Sequence, residues 1–323
     1  MSFLSSFNRF VEKWMPAIAP VSLLIGVVFS GPIGRLAFLV PYIFAFMTFC
    51  GGLNSNFRDM ADVLHHPIPV LAVFLLVRVA MPLLALGTGN LLFRAEPYFV
   101  TGMVLEFVVP TAVVSFMWST MYGGNASFTL SILLIDTVLA PFTIPLTLRL
   151  LAGSAVSMDA GSMMADLMRM VAVPALCAVS LNQVTGGKAK KVLSARLAPF
   201  SKMALILVIV INSTRVAPFV KHLTPTLIGV AAAILIVAAS GYAIGWGCAL
   251  LLRQKRDIVV SMVFGVGMKN ISAGAVIAAE YFPPEVMFPV MIGTLFQQVL
   301  ASVFAHFLSQ KANTAQEGLA GKP

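Results

Sequence analysis

Four ionisable side chains fall inside long apolar segments of the sequence: Arg78, Glu106, Asp136 and Lys269. A charged residue at the centre of a membrane helix costs about 2.5–3.5 kcal/mol, so such residues face the protein interior and pair with one another. These two acids and two bases could form a static ion network that fixes helix packing. Alternatively, they could bind a charged substrate or carry protons.

The pairing of these charges follows in part from their spacing. Asp136 lies seven residues after Thr129 in the same apolar segment, which places both side chains on one helical face. We expect Asp136 to face the site and to neutralise either Lys269 or Arg78. Glu106 would pair with the base that Asp136 leaves over.

Two of the apolar segments are interrupted near their middle. One contains Pro110 followed by Thr111, and the other contains the run Gly265–Ser272, which holds Gly267, Lys269 and Asn270. A proline alone is explained by an ordinary helix kink, but a mid-helix lysine has no packing role. Interrupted segments at corresponding places in two halves of a transporter indicate a binding site at the membrane midplane.

Further polar side chains near these interruptions could bond to a carboxylate. Ser115 and Ser119 lie one turn apart after the proline, and Asn270 and Ser272 would open a half-helix, whose N-terminus attracts anions. A third group shares one face of the last apolar segment and consists of Thr294, Gln297 and Gln298. For this third group, hydrogen bonding between helices is the alternative role.

The elements that must position these residues are membrane helices. Apolar residues make up 59% of the 323-residue chain and charged residues 10%, whereas about a quarter of a soluble domain is charged. Apolar stretches of about 20 residues recur, and each is long enough to cross a bilayer. They are solidly apolar, unlike the alternating strands of a barrel. We predict an all-α membrane protein with about ten transmembrane helices: 14–30, 36–52, 67–93, 97–122, 124–151, 167–185, 197–217, 225–252, 257–282 and 286–309.

Charge distribution predicts the orientation of the chain. Basic residues concentrate in segments that ten helices would place on the same side as both termini, including the runs Lys188–Lys191 and Arg253–Arg256. This excess favours cytoplasmic termini, in a bacterial inner membrane. The basic residues lie between apolar segments, so we expect a lipid bilayer and no nucleic acid as a partner. No segment is long enough to indicate a soluble domain or an obligate protein partner, and 310–323 is predicted to be a disordered cytoplasmic tail.

The two halves of the sequence resemble each other. Pro67, Gly87 and Gly89 match Pro225, Gly245 and Gly247 at a common offset of 158 residues. Five helices per half is an odd number, so the second copy would be inverted in the membrane, as in many secondary transporters. We therefore predict one polytopic domain over 1–323, with repeats at about 14–151 and 158–309.

The run Gly265–Asn270, Gly-Val-Gly-Met-Lys-Asn, resembles the Glu-Val-Gly-Met-Gln-Asn crossover of the bile acid:sodium symporter family, which includes bacterial homologues of the apical sodium-dependent bile acid transporter. The supporting matches are His66-Pro67, Ala80-Met81-Pro82, Gly124-Asn125 and Gly293-Thr294-Leu295-Phe296. The resemblance implies two inverted five-helix repeats, in which broken helices four and nine cross. Helices one, two, six and seven would form a panel domain and the others a core domain. The family carries organic anions, from bile salts to small carboxylates, usually with two sodium ions.

Several positions depart from the family pattern. Gly265 stands where the family has a sodium-binding glutamate, Lys269 where it has glutamine, and other ligand positions are taken by Val77, Phe116 and Leu133. The hydroxyls that remain, Ser115 and Thr129, would form a residual sodium site. Sodium needs several oxygen ligands, which a lysine does not supply. These departures suggest the hypothesis that the Lys269 ammonium replaces sodium at the crossover.

The sequence as a whole predicts a secondary active transporter of organic anions, either bile-acid-like molecules or small carboxylates, that works by alternating access. Sodium symport follows from the resemblance, with sodium as the one ion implied and no other cofactor expected. A sodium-independent carrier, coupled to protons or working by exchange, is the alternative. A channel-like or sensory membrane protein is a second alternative. The sequence lacks the HExxH and GxSxG motifs of common hydrolases, so we do not expect an enzyme.

Overall fold

The computed structural model describes residues 3–57, 67–151 and 159–320. These residues form helices, and one isolated antiparallel bridge joins Thr111 to Lys269. The helices in chain order are α1 (Phe3–Val28), α2 (Ser30–Gly34), α3 (Val40–Gly52), α4 (Pro67–Leu92), α5 (Pro97–Val108), α6 (Val113–Met121), α7 (Ala126–Leu151), α8 (Ala160–Val184), α9 (Lys190–Lys221), α10 (Pro225–Leu251), α11 (Arg256–Gly267), α12 (Ile271–Tyr281) and α13 (Pro284–Ala320).

Within the described ranges, six helical stretches are long and apolar enough to cross a membrane: α4, α7, α8, α9, α10 and the Pro284–Gln310 part of α13. Shorter apolar stretches occur at Ala17–Val28, Ala37–Gly52, α5 and α12. The chain is therefore an integral membrane protein. The count of ten membrane-crossing helices and their inverted repeat stay predictions.

Prolines mark the start of several helices and one helix break. Pro67, Pro97, Pro225 and Pro284 each open a helix, because a proline in the first turn lacks only an N–H that has no partner within the helix. Pro110 acts differently, since it follows the end of α5. The residue before a proline avoids the helical conformation, and Val109 is extended, with ψ 155°. The helix therefore stops at Val108 and resumes as α6 at Val113.

The helices pack in a connected bundle. α1 and α3 pack on α9, and α3 also contacts α8. Elsewhere α5 packs between α4 and α13, and α10 contacts both α11 and α13. Further contacts join α9 to α12 and α13, so the helices predicted for the panel touch those predicted for the core. The movement of these two groups as separate domains stays a prediction.

The last helix extends beyond its predicted end at 309. α13 continues through 310–320, where we predicted a disordered tail, and 321–323 lie outside the described residues. This extension includes Lys, Ala, Gln, Glu and Leu, which have high helix propensity. A polar composition excluded a membrane span there but did not exclude a helix.

Glycines allow close approach between α5 and α13. A Cβ added at Gly102 would lie 2.8 Å from the Pro289 ring and would collide with the Val286 carbonyl. A Cβ added at Gly87 in α4 would meet no atom within 4 Å. The two positions are therefore a matched pair of helical glycines, one at a tight interface and one in open space.

We expect Gly102→Ala to lower the melting temperature of the purified protein, because overpacking costs about 1–3 kcal/mol. Gly87→Ala is the control, and it should leave the melting temperature unchanged or raise it, since alanine is favoured over glycine in a helix by about 0.5–1 kcal/mol. Equal effects of the two substitutions would contradict this packing.

Candidate functional site

The two interruptions cross each other at the centre of the candidate site. The Asn270 N–H donates to the Pro110 carbonyl at 2.8 Å, and the Ala112 N–H donates to the Met268 carbonyl at 3.1 Å. These bonds form the bridge between Thr111 and Lys269. The backbone polar groups released by the two helix breaks thus satisfy one another away from water, as a membrane interior requires.

Arg78 neutralises the end of one half-helix. It lies in a turn of π-helix, Leu76–Ala80, within α4, and such turns are frequent at functional sites. Its Nη1 donates to the carbonyl of Val108, the last residue of α5, at 2.8 Å. Its Nη2 donates to the Asp136 carbonyl at 2.8 Å and lies 2.5 Å from Asp136 Oδ1. The cation therefore sits at the negative end of the α5 dipole.

Asp136 connects this ion pair to the crossing backbone. The side chain is fully buried, and its Oδ2 accepts a hydrogen bond from the Thr111 N–H at 2.6 Å. The Thr111 hydroxyl donates to the Gly265 carbonyl at 3.0 Å. The Asp136 carboxylate on α7 thus contacts α4 through Arg78 and the first interruption through Thr111. Thr111 in turn bonds to the second interruption at Gly265. Of the two pairings considered from the sequence, the structure forms Arg78–Asp136.

Lys269 is left without an ion-pair partner among the described residues. It is 2% exposed, and its Nζ has no hydrogen-bond partner in the described part of the chain. We expected Glu106 to pair with this remaining base, but no ion pair forms. The Glu106 carboxylate instead lies against Gly293 of α13, where a Cβ would overlap it, and its Oε2 also has no hydrogen-bond partner in the described residues.

A cavity of about 380 Å³ adjoins the crossing. Six predicted site residues line it together: Lys269, Asn270, Ser272, Thr294, Gln297 and Gln298. The N-termini of α6 and α12 also reach it, through Val113 and Ile271. The Asn270 side chain caps α12 by accepting from the Ala273 N–H at 3.3 Å. Lys269 and two positive helix ends therefore border one space, and the Nζ of Lys269 is itself buried.

The other walls of the cavity are apolar. They come from α3, α6 and α7, and include Phe44, Met47, Phe116 and Leu133. The cavity extends toward the end of the bundle that carries Asn54, Ser194 and Lys202, which also line it. It thus has a charged end at the crossing, apolar sides, and a polar far end.

The remaining predicted residues lie behind the cavity and do not line it. Pro110 and Thr111 form the crossing backbone, and Gly267 packs against the Tyr242 ring. Ser119 hydrogen bonds at 3.0 Å to both Thr129 and Ser261. No described hydrogen bond joins Ser115 to Thr129, the two residues of the predicted residual sodium site, and the Ser115 hydroxyl has no partner in the described residues.

Sequence reasoning missed two polar residues beside this site. Ser261 completes the buried hydroxyl cluster, and Asn212 of α9 lies next to Ser272 and Thr294. Asn212 follows the apolar run Val208–Ile211, so a polar residue within a membrane segment was the available signal. Ser261 gave none, because serines are common in membrane helices.

The geometry agrees with a comparison against known protein families. Residues 41–223 match the model of the sodium bile acid symporter family. The chain belongs to this family. It is therefore a membrane transporter by descent, as the crossover motif predicted, and not an enzyme.

Individual relatives extend the similarity beyond the matched range. The uncharacterised protein YbaS of Bacillus subtilis is 41% identical over 92% of this chain and 97% of its own length. The uncharacterised sodium-dependent transporter YocS of the same organism is 22% identical over 98% of both chains. The probable sodium/metabolite cotransporter BASS1 of Arabidopsis thaliana is 24% identical over 79% of this chain and 62% of its own length.

We expect Asp136→Asn to destabilise the protein strongly. Removing one partner of a buried ion pair typically costs 3–5 kcal/mol because the other charge stays buried, and here Thr111 also loses a charged acceptor. The control is Arg169→Gln, which removes the exposed pair between Arg169 and Asp166, whose side chains are 80% and 39% exposed. Such pairs contribute about 0–1 kcal/mol. Similar losses of melting temperature in the two variants would contradict the assigned role of Asp136.

Proposed function

We propose that this protein is a secondary active transporter that carries a small organic anion by alternating access, with Lys269 as the group that pairs with the anion. The observation that supports this proposal is Lys269, a residue that lines the cavity and whose buried Nζ has no hydrogen-bond partner in the described residues. A buried charge is costly unless it is paired. An anionic substrate would supply the missing partner.

The charged end of the cavity is rich in hydrogen-bond donors. The Gln297 side-chain oxygen accepts from the Lys269 N–H at 2.8 Å, and the Gln298 oxygen accepts from the Trp118 indole at 3.0 Å. Both donors are N–H groups, which fixes the oxygen of each amide on the protein and leaves its NH₂ for other partners. Together with Lys269 and the two helix ends, these amides favour a carboxylate over a cation.

The size and apolar walls of the cavity narrow the substrate class. Its volume of about 380 Å³ lies near the lower end of the range of roughly 300–1,000 Å³ that is usual for ligand sites. The apolar walls beside the charged end suit a molecule with one carboxylate and a short hydrocarbon body. Within the range from bile-acid-like molecules to small carboxylates, we therefore favour small carboxylates.

We further infer that Arg78 and Lys269, rather than a bound sodium ion, supply the positive charge at the crossing. In transporters with broken helices, carbonyls at the breaks and half-helix C-termini coordinate the coupling ion. Here Arg78 bonds to the Val108 carbonyl, and backbone N–H groups occupy those of Pro110 and Met268. Lys269 adds a second cation. This arrangement supports a sodium-independent carrier that is coupled to protons or works by exchange.

Sodium symport is the competing mechanism. The name of YocS describes it as a sodium-dependent transporter, and that of BASS1 describes it as a probable sodium/metabolite cotransporter. A Cβ at Gly265 would meet no atom within 4 Å, so space is open beside the crossing. The residual site of Ser115 and Thr129 would then hold the ion. Thr129, however, already bonds to Ser119 and to the Asn125 carbonyl.

The proposed arrangement of the helices in the membrane is the one predicted from the sequence. Two inverted five-helix repeats would build a panel and a core, which move against each other to expose the cavity to either side. Both termini would lie in the cytoplasm of a bacterial inner membrane. In that orientation the end of the bundle with Asn54, Ser194 and Lys202 is cytoplasmic, and the cavity faces inward.

We expect small carboxylates to stabilise the purified protein and Lys269→Met to abolish the effect. A ligand at a hundred times its Kd stabilises by about 2.7 kcal/mol, which is measurable as a rise in melting temperature. The probes are short- and medium-chain monocarboxylates, small dicarboxylates and bile salts, followed by uptake of the best binder into proteoliposomes. Because Lys269→Met removes an unpaired buried charge, its own melting temperature should be unchanged or higher.

The matched control is Lys221→Met, which removes an exposed lysine at the end of α9 and should retain both binding and uptake. Carboxylate binding that survives in Lys269→Met would overturn the assignment of Lys269. Absence of stabilisation by every carboxylate, with uptake of cations or neutral solutes instead, would overturn the substrate class.

A further inference from the structure

The polar lining continues past the cavity on the side away from Asn54, Ser194 and Lys202. A second space of about 10 Å³ lies there, and Ser272 and Thr294 line both spaces. Asn212 and Ala275 also border the smaller one. Asn212 is 3% exposed, and its Nδ2 has no hydrogen-bond partner in the described residues. The Asn212 side chain is therefore a buried donor, without a partner in the described residues, that lies just beyond the charged end of the cavity.

Hydrogen bonds join α12 to α9 and α8 about one turn beyond Asn212. Arg215, three residues later on α9, donates from Nη1 to the Ala279 carbonyl in the last turn of α12 at 2.6 Å. At the end of α12, the Tyr281 hydroxyl donates to the Asp166 carboxylate on α8. The end of α12 is therefore bonded to both α8 and α9, whereas the start of α12 faces the main cavity.

We propose that the Arg215–Ala279 and Tyr281–Asp166 bonds form the gate that closes one end of the transport path, and that Asn212 is the polar contact the substrate meets between the cavity and this gate. The proposal rests on the proposed transport function. Alternating access requires a closure that opens reversibly, and the bonds join α12 to α8 and α9, which belong to the two groups of helices predicted to move against each other. An arginine and a tyrosine can exchange these partners for water when the ends separate.

The gate can be tested by the accessibility of a cysteine behind it. The reporter is Ala275→Cys in a protein whose Cys50, Cys177 and Cys248 are replaced by serine, labelled with a membrane-impermeant maleimide in membrane vesicles of each orientation. We expect slow labelling from the face opposite the main cavity. Tyr281→Phe combined with Arg215→Gln should raise that rate by about tenfold or more, since each lost hydrogen bond shifts the equilibrium several-fold.

Matched controls are Tyr98→Phe in the first turn of α5 and Arg149→Gln in the last turn of α7, which change the same residue types at exposed helix ends. They should leave the labelling rate unchanged. Labelling of Ala275→Cys that is the same in the gate variant and in the controls would overturn the proposal.

Cys50, which lines the main cavity, separates gating from unfolding. In a protein that keeps Cys50 as its one cysteine, the gate variant should label more slowly from the cavity side, because opening one end closes the other. Faster labelling of both reporters would mean that the bonds hold the fold and would overturn the gate. The assay contains no substrate, so a failure of carboxylate binding would overturn the proposed function without changing this result.

Discussion

The buried ion pair between Arg78 and Asp136 joins α4 and α7 at the place where the two helix breaks cross. Its energetic importance comes from what each partner does besides pairing. Arg78 also bonds to the last carbonyl of α5, and Asp136 also accepts from the Thr111 N–H. A break in a membrane helix exposes carbonyl and N–H groups that lipid cannot satisfy. The ion pair satisfies two of them, the Val108 carbonyl and the Thr111 N–H, and so stabilises the first break.

This pairing also determines the state of Lys269. Because Asp136 is committed to Arg78 and Glu106 lies against α13, the ammonium of Lys269 has no ion-pair partner among the described residues. Lys269 also lines the cavity, as do the N-termini of α6 and α12. Arg78 is thus part of a structural ion pair, while a role of Lys269 in binding substrate stays a proposal.

Local rules made much of this predictable. Pro110 ends α5 because the residue before a proline leaves the helical conformation. In the second half of the chain, the run Gly265–Ser272 likewise predicts a helix break. Both breaks lie where the sequence placed them, and six of the residues singled out for the site share one cavity. The helix starts at Pro67, Pro97 and Pro225 were predicted at those residues, whereas the last helix begins at Pro284, two residues before its predicted start.

Other features depend on distances that spacing does not encode. Asp136 could have faced either base, and the turn of π-helix that brings Arg78 to it has no sequence signature. The position of Glu106 against Gly293 depends on how closely α5 and α13 approach. The guanidinium of Arg215 on α9 reaches across to α12. Tertiary packing decides these pairings, and only the helix faces follow from periodicity.

The central claim is that Lys269 takes the place of sodium at the crossing. Its most direct test is to measure the melting temperature of the purified protein in sodium chloride, potassium chloride and choline chloride at equal ionic strength. A specifically bound ion would stabilise the protein by about 2.7 kcal/mol at a hundredfold excess over its Kd. We predict the same melting temperature in all three salts. A rise in sodium alone would contradict the account, because it would show that a sodium site persists beside Lys269.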